Sequence, residues 1–232
     1  VEGVVAGYVI AYSCDSSIGY IDELAVHPAF RGRGVGSALL RRAERELVMR
    51  GAKFVELSVK SGDVNALNFY LKRGYVVTGL TYNLNAEVCK LKVDSQLAPF
   101  KCKSQGNLKG IGKLTPIVWW SRLTWQFDHK LSGEVGSRPL AIYDEKGVLV
   151  SYVEYSIDDG ELYVEYAAVK DVGDISIIKR LVGALKVEAE GQGLSRVYVS
   201  VDASYDDIVR EFLSSGFRLF EVEFRAQKNL LS

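Results

Sequence analysis

An internal repeat restricts the fold of this 232-residue chain more than any other feature of its sequence. The segment GAKFVELSV, which starts at Gly51, matches GLSRVYVSV, which starts 142 residues later. Gly74 and Gly216 match at the same separation. A fixed separation between similar segments is the mark of a duplicated structural unit. We therefore predict two domains that share one fold, at residues 1–95 and 96–232.

Both copies show the same order of predicted elements. In the first copy, alternating apolar residues predict an antiparallel strand pair near 4–12 and 19–26. Helical spacing after Gly36 predicts a long helix, and Gly51 would end it as a left-handed C-cap. The elements that follow are a strand at 53–59, a short helix at 64–73 and a strand hairpin at 75–93. The second copy has strands at 139–145, 148–156, 161–169, 196–202 and 217–226 and helices at 175–190 and 205–215.

Residues 94–138 have no counterpart in the first copy. They contain PIVWWSRLTWQF, which we interpret as the helix that starts the second domain. The arithmetic of the repeat then predicts that roughly 35 residues precede the first copy in the complete protein. The only methionine, Met49, also indicates a start upstream of Val1.

Composition excludes several classes of function. Lys+Arg and Asp+Glu number 29 each, so no net field would draw the chain to nucleic acid or to an anionic membrane. No apolar run approaches the roughly 20 residues that a membrane-spanning helix needs. Cys14, Cys89 and Cys102 are few and unpatterned, which argues against disulfides and a metal site. We expect a cytoplasmic protein.

The stretch RGRGVG places three glycines between a predicted strand and a predicted helix. Glycine lets backbone amides approach a ligand without a Cβ, and the N-terminus of the helix carries partial positive charge. Both properties suit a phosphate group, and we name residues 31–37 the glycine cradle. The G-x-G-x-G spacing after antiparallel strands argues against a Rossmann dinucleotide loop. Glycines that only turn the chain are the other interpretation.

A second motif makes the pattern more specific. The first motif, R-x-x-G-x-G, consists of Arg31, Gly34 and Gly36, and A-x-x-x-Y-x-x-x-G-Y follows at 66–75. Over roughly residues 3–93 the chain resembles the GNAT superfamily of acyl-CoA-dependent N-acetyltransferases, and the second copy resembles the same fold with its motif erased. The resemblance implies an α/β (α+β) fold with two tandem GNAT-like domains, each a mixed, mostly antiparallel central sheet flanked by helices.

The resemblance also implies how acetyl-CoA would bind as the cosubstrate, without a metal. The amides of the glycine cradle would hold its pyrophosphate, and the pantetheine arm would lie along residues 24–26. Asp63 stands where many family members carry an Asn that orients pantetheine, although a helix N-cap explains Asp63 equally well. The implied cofactor-binding residues are Leu24, Ala25, Val26, Arg31, Gly32, Arg33, Gly34, Val35, Gly36, Ser37 and Asp63.

Tyr70 of the second motif is the candidate catalytic acid. A departing thiolate has a pKa near 8.5 in its free form and needs a proton, which a phenol with a pKa near 10 can supply. With the 142-residue separation, Tyr70 of the first copy matches Phe212 of the second. A ring without a hydroxyl therefore suffices for packing in the second copy. This comparison predicts a chemical role for the hydroxyl, with core packing as the other interpretation.

Asp22 and Glu23, on the strand before the cradle, are the candidate bases that would take a proton from the acceptor amine. Their side chains should face opposite ways along a strand. With the 142-residue separation, Glu23 of the first copy matches Glu165 of the second, which indicates a structural ion pair. Asp22 matches Val164. The comparison favours Asp22, and a solvated carboxylate is the other interpretation for either residue.

The second copy is predicted to bind no CoA. Ser176 and Ile178 stand where the first copy has Gly34 and Gly36, so side chains return to the place where a phosphate would approach the backbone. In the first copy, a set of basic side chains could contact the 3′-phosphate of CoA or only face solvent. These are Arg41, Arg42, Lys72 and Arg73.

Two functions remain open on the sequence alone. The first is an N-acetyltransferase that moves an acetyl group from acetyl-CoA to an amine acceptor, a small molecule or a protein amine, by direct nucleophilic attack. The second is a non-catalytic acyl-CoA-binding module with a regulatory or assembly role. The sequence does not identify the acceptor, and it leaves a homo-oligomer possible.

Overall fold

A computed structural model of the chain describes residues 3–14, 17–93, 101–103, 110–118 and 137–231. The helix predicted for PIVWWSRLTWQF is wrong at its start, because Thr115–Pro116 form a short strand and residues 117–118 are not helical. From residue 119 onward the segment lies outside these ranges. The chain divides into two compact units, which we call the front unit and the rear unit. The front unit consists of Val1–Gly79 and Glu223–Ser232, and the rear unit consists of Leu80–Val222.

The front unit is a mixed sheet with two helices from the first copy of the repeat. Its elements are β1 (Gly7–Ser13), β2 (Ile18–Val26), α1 (Val35–Met49), β3 (Phe54–Lys60), α2 (Val64–Leu71), the start of β4 (Val76–Glu87) and the end of β11 (Arg218–Asn229). β1 pairs with β2 antiparallel, and β2 pairs with β3 parallel. The end of β11 then pairs with β3 antiparallel.

The rear unit repeats this arrangement with a longer sheet. Its elements are the rest of β4 and the start of β11 together with β5 (Lys101–Lys103), β6 (Thr115–Pro116), β7 (Arg138–Tyr143), β8 (Leu149–Asp158), β9 (Glu161–Val169), α3 (Ile175–Gly191), β10 (Arg196–Asp202) and α4 (Asp206–Ser214). The ladder runs β4, β10, β9, β8, β7, β5, with β9 and β10 parallel and the other neighbours antiparallel. The predicted fold class, mostly antiparallel sheets flanked by helices, is confirmed.

The hairpin predicted at 75–93 is wrong. The chain instead forms the single strand β4, followed by a 3-10 turn at Val88–Lys90. Residues 81–87 of β4 pair with β10, which belongs to the second copy of the repeat. Because the partner strand comes from elsewhere in the chain, β4 does not need to fold back on itself. Likewise β3 of the first copy pairs with β11 of the second, so each unit takes its last strand from the other copy.

The start of the long helix differs between the two units. In α3, Ile177 and Ile178 are buried and form part of the core. In α1, burial of the apolar stripe begins at Leu40, and the first turn is only partly buried. The hydrophobic face of α1 therefore leaves its N-terminus out of the core and accessible to a ligand.

Gly74 and Gly216 allow a matched test of the two copies. Both follow the last turn of a helix with positive φ, +87° and +103°. A Cβ on Gly216 would lie 2.6 Å from the carbonyl oxygen of Lys90, whereas the nearest atom to a Cβ on Gly74 is the flexible Cε of Lys228 at 3.7 Å.

We expect Gly74→Ala to lower the free energy of unfolding by about 1–2 kcal/mol, the cost of a left-handed alanine. Gly216→Ala should cost about 1–3 kcal/mol more, because its Cβ overlaps backbone that cannot rotate away. Urea unfolding of both variants measures the difference. Equal losses would contradict the clash at Gly216.

Candidate functional site

A gap opens between β2 and β3 of the front unit. The parallel pairing runs from Ile18 beside Phe54 to Ile21 beside Leu57, and it ends there although both strands continue. On the β3 side, no strand in the described part of the chain pairs with residues 23–26. The backbone groups on that edge can therefore bind an extended ligand as an added strand.

A β-bulge at Asp22 accompanies this separation. In the ladder with β1, Glu23 lies opposite Ile10 and Ile21 lies opposite Ala11, so Asp22 is the extra residue. A bulge bends its strand and increases the local twist. We attribute the divergence of β2 from β3 to this bend. The bulge also interrupts the alternation that predicted opposite directions for Asp22 and Glu23.

The rear unit has the same separation, but there the chain fills it. β9 and β10 pair up to Val164 beside Val199 and then separate. β6 pairs with the end of β9, and since β8 already occupies the other edge of those residues, β6 must lie on the β10 side. Ile117 continues the bridge: its N–H donates to Ala167 O, and its carbonyl accepts from Asp202 N.

The position of the bulge in the rear unit changes which residues of the two copies match. Glu154 lies opposite Tyr166 and Tyr155 lies opposite Val164, so Glu165 is the extra residue. Asp22 of the front unit therefore corresponds to Glu165, one position away from the match with Glu23 that the 142-residue separation gave. The match of Asp22 with Val164 is therefore wrong, because the register of this strand shifts by one residue.

The glycine cradle leads into helix α1, whose N-terminus has no hydrogen bond from a capping side chain. Gly34 is the N-cap of α1, and Gly32 and Gly34 both have positive φ, +73° and +82°. A Cβ on either residue would meet no atom within 4 Å, so both face open space. The first helical bond is donated by Ala38 to Gly34, which leaves the amides of the first turn to an external acceptor.

The matching helix of the rear unit satisfies its own N-terminus. Asp174 is the N-cap of α3, and its Oδ1 accepts from the Ser176 N–H at 3.0 Å. The Ser176 hydroxyl donates to the same oxygen. A carboxylate at this position neutralises the positive end of the helix. The structure thus shows one helix start with a built-in anion and one without.

A cleft of about 890 Å³ lies in front of the cradle. It is lined by every residue predicted to bind the cofactor except Arg33, whose guanidinium lies 5.8 Å from the centroid of the Phe30 ring. The further lining residues are Phe30, Asn65, Ala66, Phe69, Tyr70 and Arg73. Arg31 donates from Nε to the Val26 carbonyl at 3.1 Å, which ties the cradle to the end of β2.

Asp63 is an N-cap as well as a lining residue. Its Oδ1 accepts from the Ala66 N–H at 2.8 Å at the start of α2. The capping interpretation given from sequence is therefore confirmed. A role for Asp63 in orienting a ligand stays a prediction.

Tyr70 places its side chain on the wall of the cleft. It is 9% exposed, and its ring packs edge-on against Phe69 and Tyr75. Its hydroxyl makes no hydrogen bond to any residue that the structure describes. Burial, followed by the negative charge of Asp63, raises the pKa of Tyr70, so the phenol holds its proton. Phe212 of the rear unit packs edge-on against Phe217 in the same way.

The two candidate bases differ in their contacts. Glu23 accepts a hydrogen bond from the Tyr8 hydroxyl at 2.5 Å. In the rear unit, the Tyr152 hydroxyl instead donates to Glu154, two residues further along the same strand. Asp22 has no hydrogen bond of this kind among the described residues. Burial and the neighbouring charge of Glu23 raise the pKa of Asp22.

Sequence reasoning missed Glu56, a third carboxylate near this strand. Glu56 lies beside Tyr20 in the parallel ladder and is only 8% exposed. Gln227 of β11 donates to its Oε1 at 2.6 Å, yet burial still raises the pKa of Glu56. The strand sequence FVELSVK gives no signal that this glutamate is buried, because its partner Gln227 belongs to a strand of the other copy.

Other classes of site find no support in the described ranges. They contain no group of three or more His, Cys, Asp or Glu residues that could hold a metal ion. None of the helices described there is long and apolar enough to cross a membrane.

Comparisons with known proteins agree with this geometry. The model of the acetyltransferase (GNAT) family matches residues 1–75. A GCN5-related N-acetyltransferase from Sphaerobacter thermophilus superposes with a TM-score of 0.69 and 16% identity, over 99% of this chain and 78% of that protein. A tandem GNAT protein from the clavulanic acid biosynthesis pathway gives 0.70 and 13%, over 99% and 81%.

A third solved structure is a glucosamine N-acetyltransferase region in a fungal multi-domain GH3 beta-N-acetylglucosaminidase. It superposes with a TM-score of 0.75 and 15% identity, over 97% of this chain and 32% of that protein. At these identities the likeness shows the fold. It extends over both copies of the repeat.

Tyr70 and Tyr75 provide a paired test of what the tyrosine hydroxyls do. The Tyr75 hydroxyl donates to the buried Glu44 at 3.1 Å. We expect Tyr75→Phe to lower the free energy of unfolding by about 1–2 kcal/mol, because it removes this hydrogen bond. Tyr70→Phe should leave it within about 0.5 kcal/mol, because the phenylalanine keeps the packing. Chemical denaturation measures both, and an equal loss would make the Tyr70 hydroxyl structural.

Proposed function

We propose that this chain is an N-acetyltransferase, because residues 1–75 match the model of the acetyltransferase (GNAT) family and the whole chain has the fold of a tandem GNAT protein. The front unit would transfer an acetyl group from acetyl-CoA to an amine acceptor by direct attack. One observation carries the proposal. An uncapped helix start, an unpaired strand edge and a phenol without a described hydrogen bond all face one cleft.

The residues present fit acetyl-CoA. The diphosphate would bind the amides of Val35, Gly36 and Ser37, where the glycine cradle offers open space. The pantetheine arm carries amide groups, which can hydrogen-bond to the unpaired edge of residues 24–26. Acetyl-CoA supplies the activated acyl group as a thioester. A free backbone N–H near Val26 is the donor we assign to its carbonyl oxygen.

Tyr70 would act as the general acid. Its raised pKa keeps the phenol protonated at neutral pH, and Tyr70 lines the cleft in which we propose that the thioester binds. Proton transfer from a positioned side chain contributes about 10²–10⁴-fold to a rate. The matching Phe212 supports this role, since the rear unit keeps the packing and lacks the hydroxyl.

Asp22 would accept the proton of the acceptor amine, directly or through water. The raised pKa makes its carboxylate a better base than an ordinary aspartate. Tyr20 and Glu56 alternate with the core residues Ile21 and Leu57, so they face the side of the sheet away from α1. Burial, followed by the negative charge of Asp22, raises the pKa of Tyr20.

The rear unit would serve as a structural partner without its own cofactor. Residues 115–117 occupy its strand gap, and Asp174 occupies its helix start. Both features remove the places that a pantetheine arm and a diphosphate would take in the front unit. We therefore propose one acetyl-CoA per chain.

The proposal predicts a specific defect for Tyr70→Phe. We expect kcat to fall about 100-fold or more, because the leaving thiolate loses its proton donor, while the Kd for acetyl-CoA stays within about threefold. In the wild type, a loss of activity from deprotonated Tyr70 should appear only above pH 10, since the pKa is raised from that ordinary value. Thiol release with a panel of amines measures kcat, and calorimetry measures Kd.

Unchanged turnover in Tyr70→Phe would remove the assignment of the acid. A result in the wild type would decide between the enzyme and a module without catalysis. Tight binding of acetyl-CoA with no acceptor-dependent thiol release would favour the non-catalytic acyl-CoA-binding module.

A second prediction separates the two candidate bases. Asp22→Asn should lower kcat/KM by about 100-fold and remove the acid limb of its pH profile, which in the wild type should lie above the ordinary carboxyl pKa of 3.8. Glu23→Gln should cost less, because the Glu23 side chain is already engaged by Tyr8. The reverse order would assign the base to Glu23.

Stability provides the control for Asp22. Because the pKa of Asp22 is raised in the folded state, its contribution to stability is complete below the unfolded pKa and is lost as pH rises through the folded pKa. Asp22→Asn should therefore not destabilise the protein at neutral pH. A thermal melt that shows a clear loss would point to a structural role instead.

A further inference from the structure

Arg73 lies at the positive end of α1, where a cation is unfavourable unless an anion joins it. Its Nη2 donates to Ser37 Oγ at 2.5 Å, and its Nη1 donates to the Phe69 carbonyl at 2.5 Å. Ser37 is the third residue of α1 and therefore belongs to the first turn. The guanidinium is thus bound to a side chain of the first turn of α1.

No described carboxylate offsets this charge. Arg73 forms no salt bridge within the residues that the structure describes, and the other charged side chains on the cleft wall are Arg31 and Asp63. Asp63 caps α2, and Arg31 donates to Val26. The partial positive charge of the helix start and the full charge of Arg73 therefore add at one place. In the rear unit, Asp174 supplies a negative charge at the matching helix start.

Packing fixes the position of the guanidinium. Its central carbon lies 3.6 Å from the centroid of the Phe69 ring. The same ring packs against the cradle, since a Cβ on Gly36 would lie 3.4 Å from it. An arginine stacked in this way loses little further freedom when it binds a phosphate. Arg73 is therefore prepared for an anion in the cleft.

The other basic residues considered from sequence lie elsewhere. Arg41 and Arg42 line a separate groove with Lys228, and Arg42 also pairs with Glu46. Lys72 is exposed and is not part of the cleft wall. Of the four candidates, Arg73 is the one that faces the cradle.

We propose that Arg73 is a diphosphate-binding residue, and that it and the first-turn amides of α1 bind the same diphosphate of acetyl-CoA. The assignment rests on the proposed function, since it names a contact within that site. Arginine suits the role because its planar fork can donate two parallel hydrogen bonds to phosphate oxygens. The place of Ser37 within the cradle favours the diphosphate over the 3′-phosphate.

Calorimetry on the full chain with three ligands tests the assignment. The ligands are acetyl-CoA, its 3′-dephospho analogue and S-acetylpantetheine, which lacks all phosphates. We expect Arg73→Met to weaken the first two equally, by about tenfold to 100-fold, and to leave S-acetylpantetheine within about twofold. Lys72→Met removes the same charge one residue away and should change no affinity by more than about twofold.

Two outcomes for the variant would overturn the assignment. Equal weakening of S-acetylpantetheine would mean that Arg73 only holds α2 against α1, and a loss that disappears with the 3′-dephospho analogue would mean a contact with the 3′-phosphate. If Arg73→Met does not fold, Arg73→Lys should show a smaller loss confined to the ligands with a diphosphate. A wild type that binds none of the three overturns the proposed function itself, and this result is seen without any variant.

Discussion

The separation of two parallel strands after Ile21 is the constraint on which the front unit depends. The bulge at Asp22 bends β2 away from β3, and the peptide groups beyond it then need partners that β3 no longer provides. This single departure from regular pairing creates the cleft. It also sets the position of the cradle, because Val26 ends β2 and accepts a hydrogen bond from Arg31. The unpaired edge is a consequence of this geometry, whereas the missing cap follows from Gly34, since the rear unit has the same bulge and a helix capped by Asp174.

The exchange of last strands explains why a copy without a cradle is retained. β11 belongs to the second copy, yet Glu223–Asn229 pair with β3 of the front unit. Its side chains also contact the first copy, since Gln227 donates to Glu56 and Lys228 pairs with Glu44 at 2.9 Å. The sheet of the front unit is therefore incomplete without residues 223–229, which lie near the far end of the sequence.

Much of this architecture could be predicted from the sequence, and the failures have a common cause. Periodicity located most helices and strands, and the glycines of the cradle indicated the helix start correctly, because both signals are local. The false hairpin at 75–93 and the burial of Glu56 depend on β10 and β11, strands that come from the other copy. Local patterns contain no information about such distant partners.

The one-residue error in matching Asp22 has a different origin. A fixed separation assumes that both copies have the same number of residues between landmarks, whereas strands β2 and β9 follow a separation one longer than strands β3 and β10 do. Side chains in a strand alternate, so a shift of one residue changes which face each residue occupies. An ungapped comparison therefore finds the fold but assigns the wrong carboxylate.

In the rear unit, residues of the chain itself provide the hydrogen bonds and the negative charge that the front unit lacks. Ile117 bridges the strand gap with the hydrogen bonds that an extended ligand would make, and Asp174 places an anion where a phosphate would lie. In the front unit the corresponding helix start has Gly34 and faces a cation, Arg73. The two helix starts thus carry opposite charge around the same fold. The helix start of the front unit lacks the carboxylate that its copy carries, and we therefore propose that a ligand supplies the anion there.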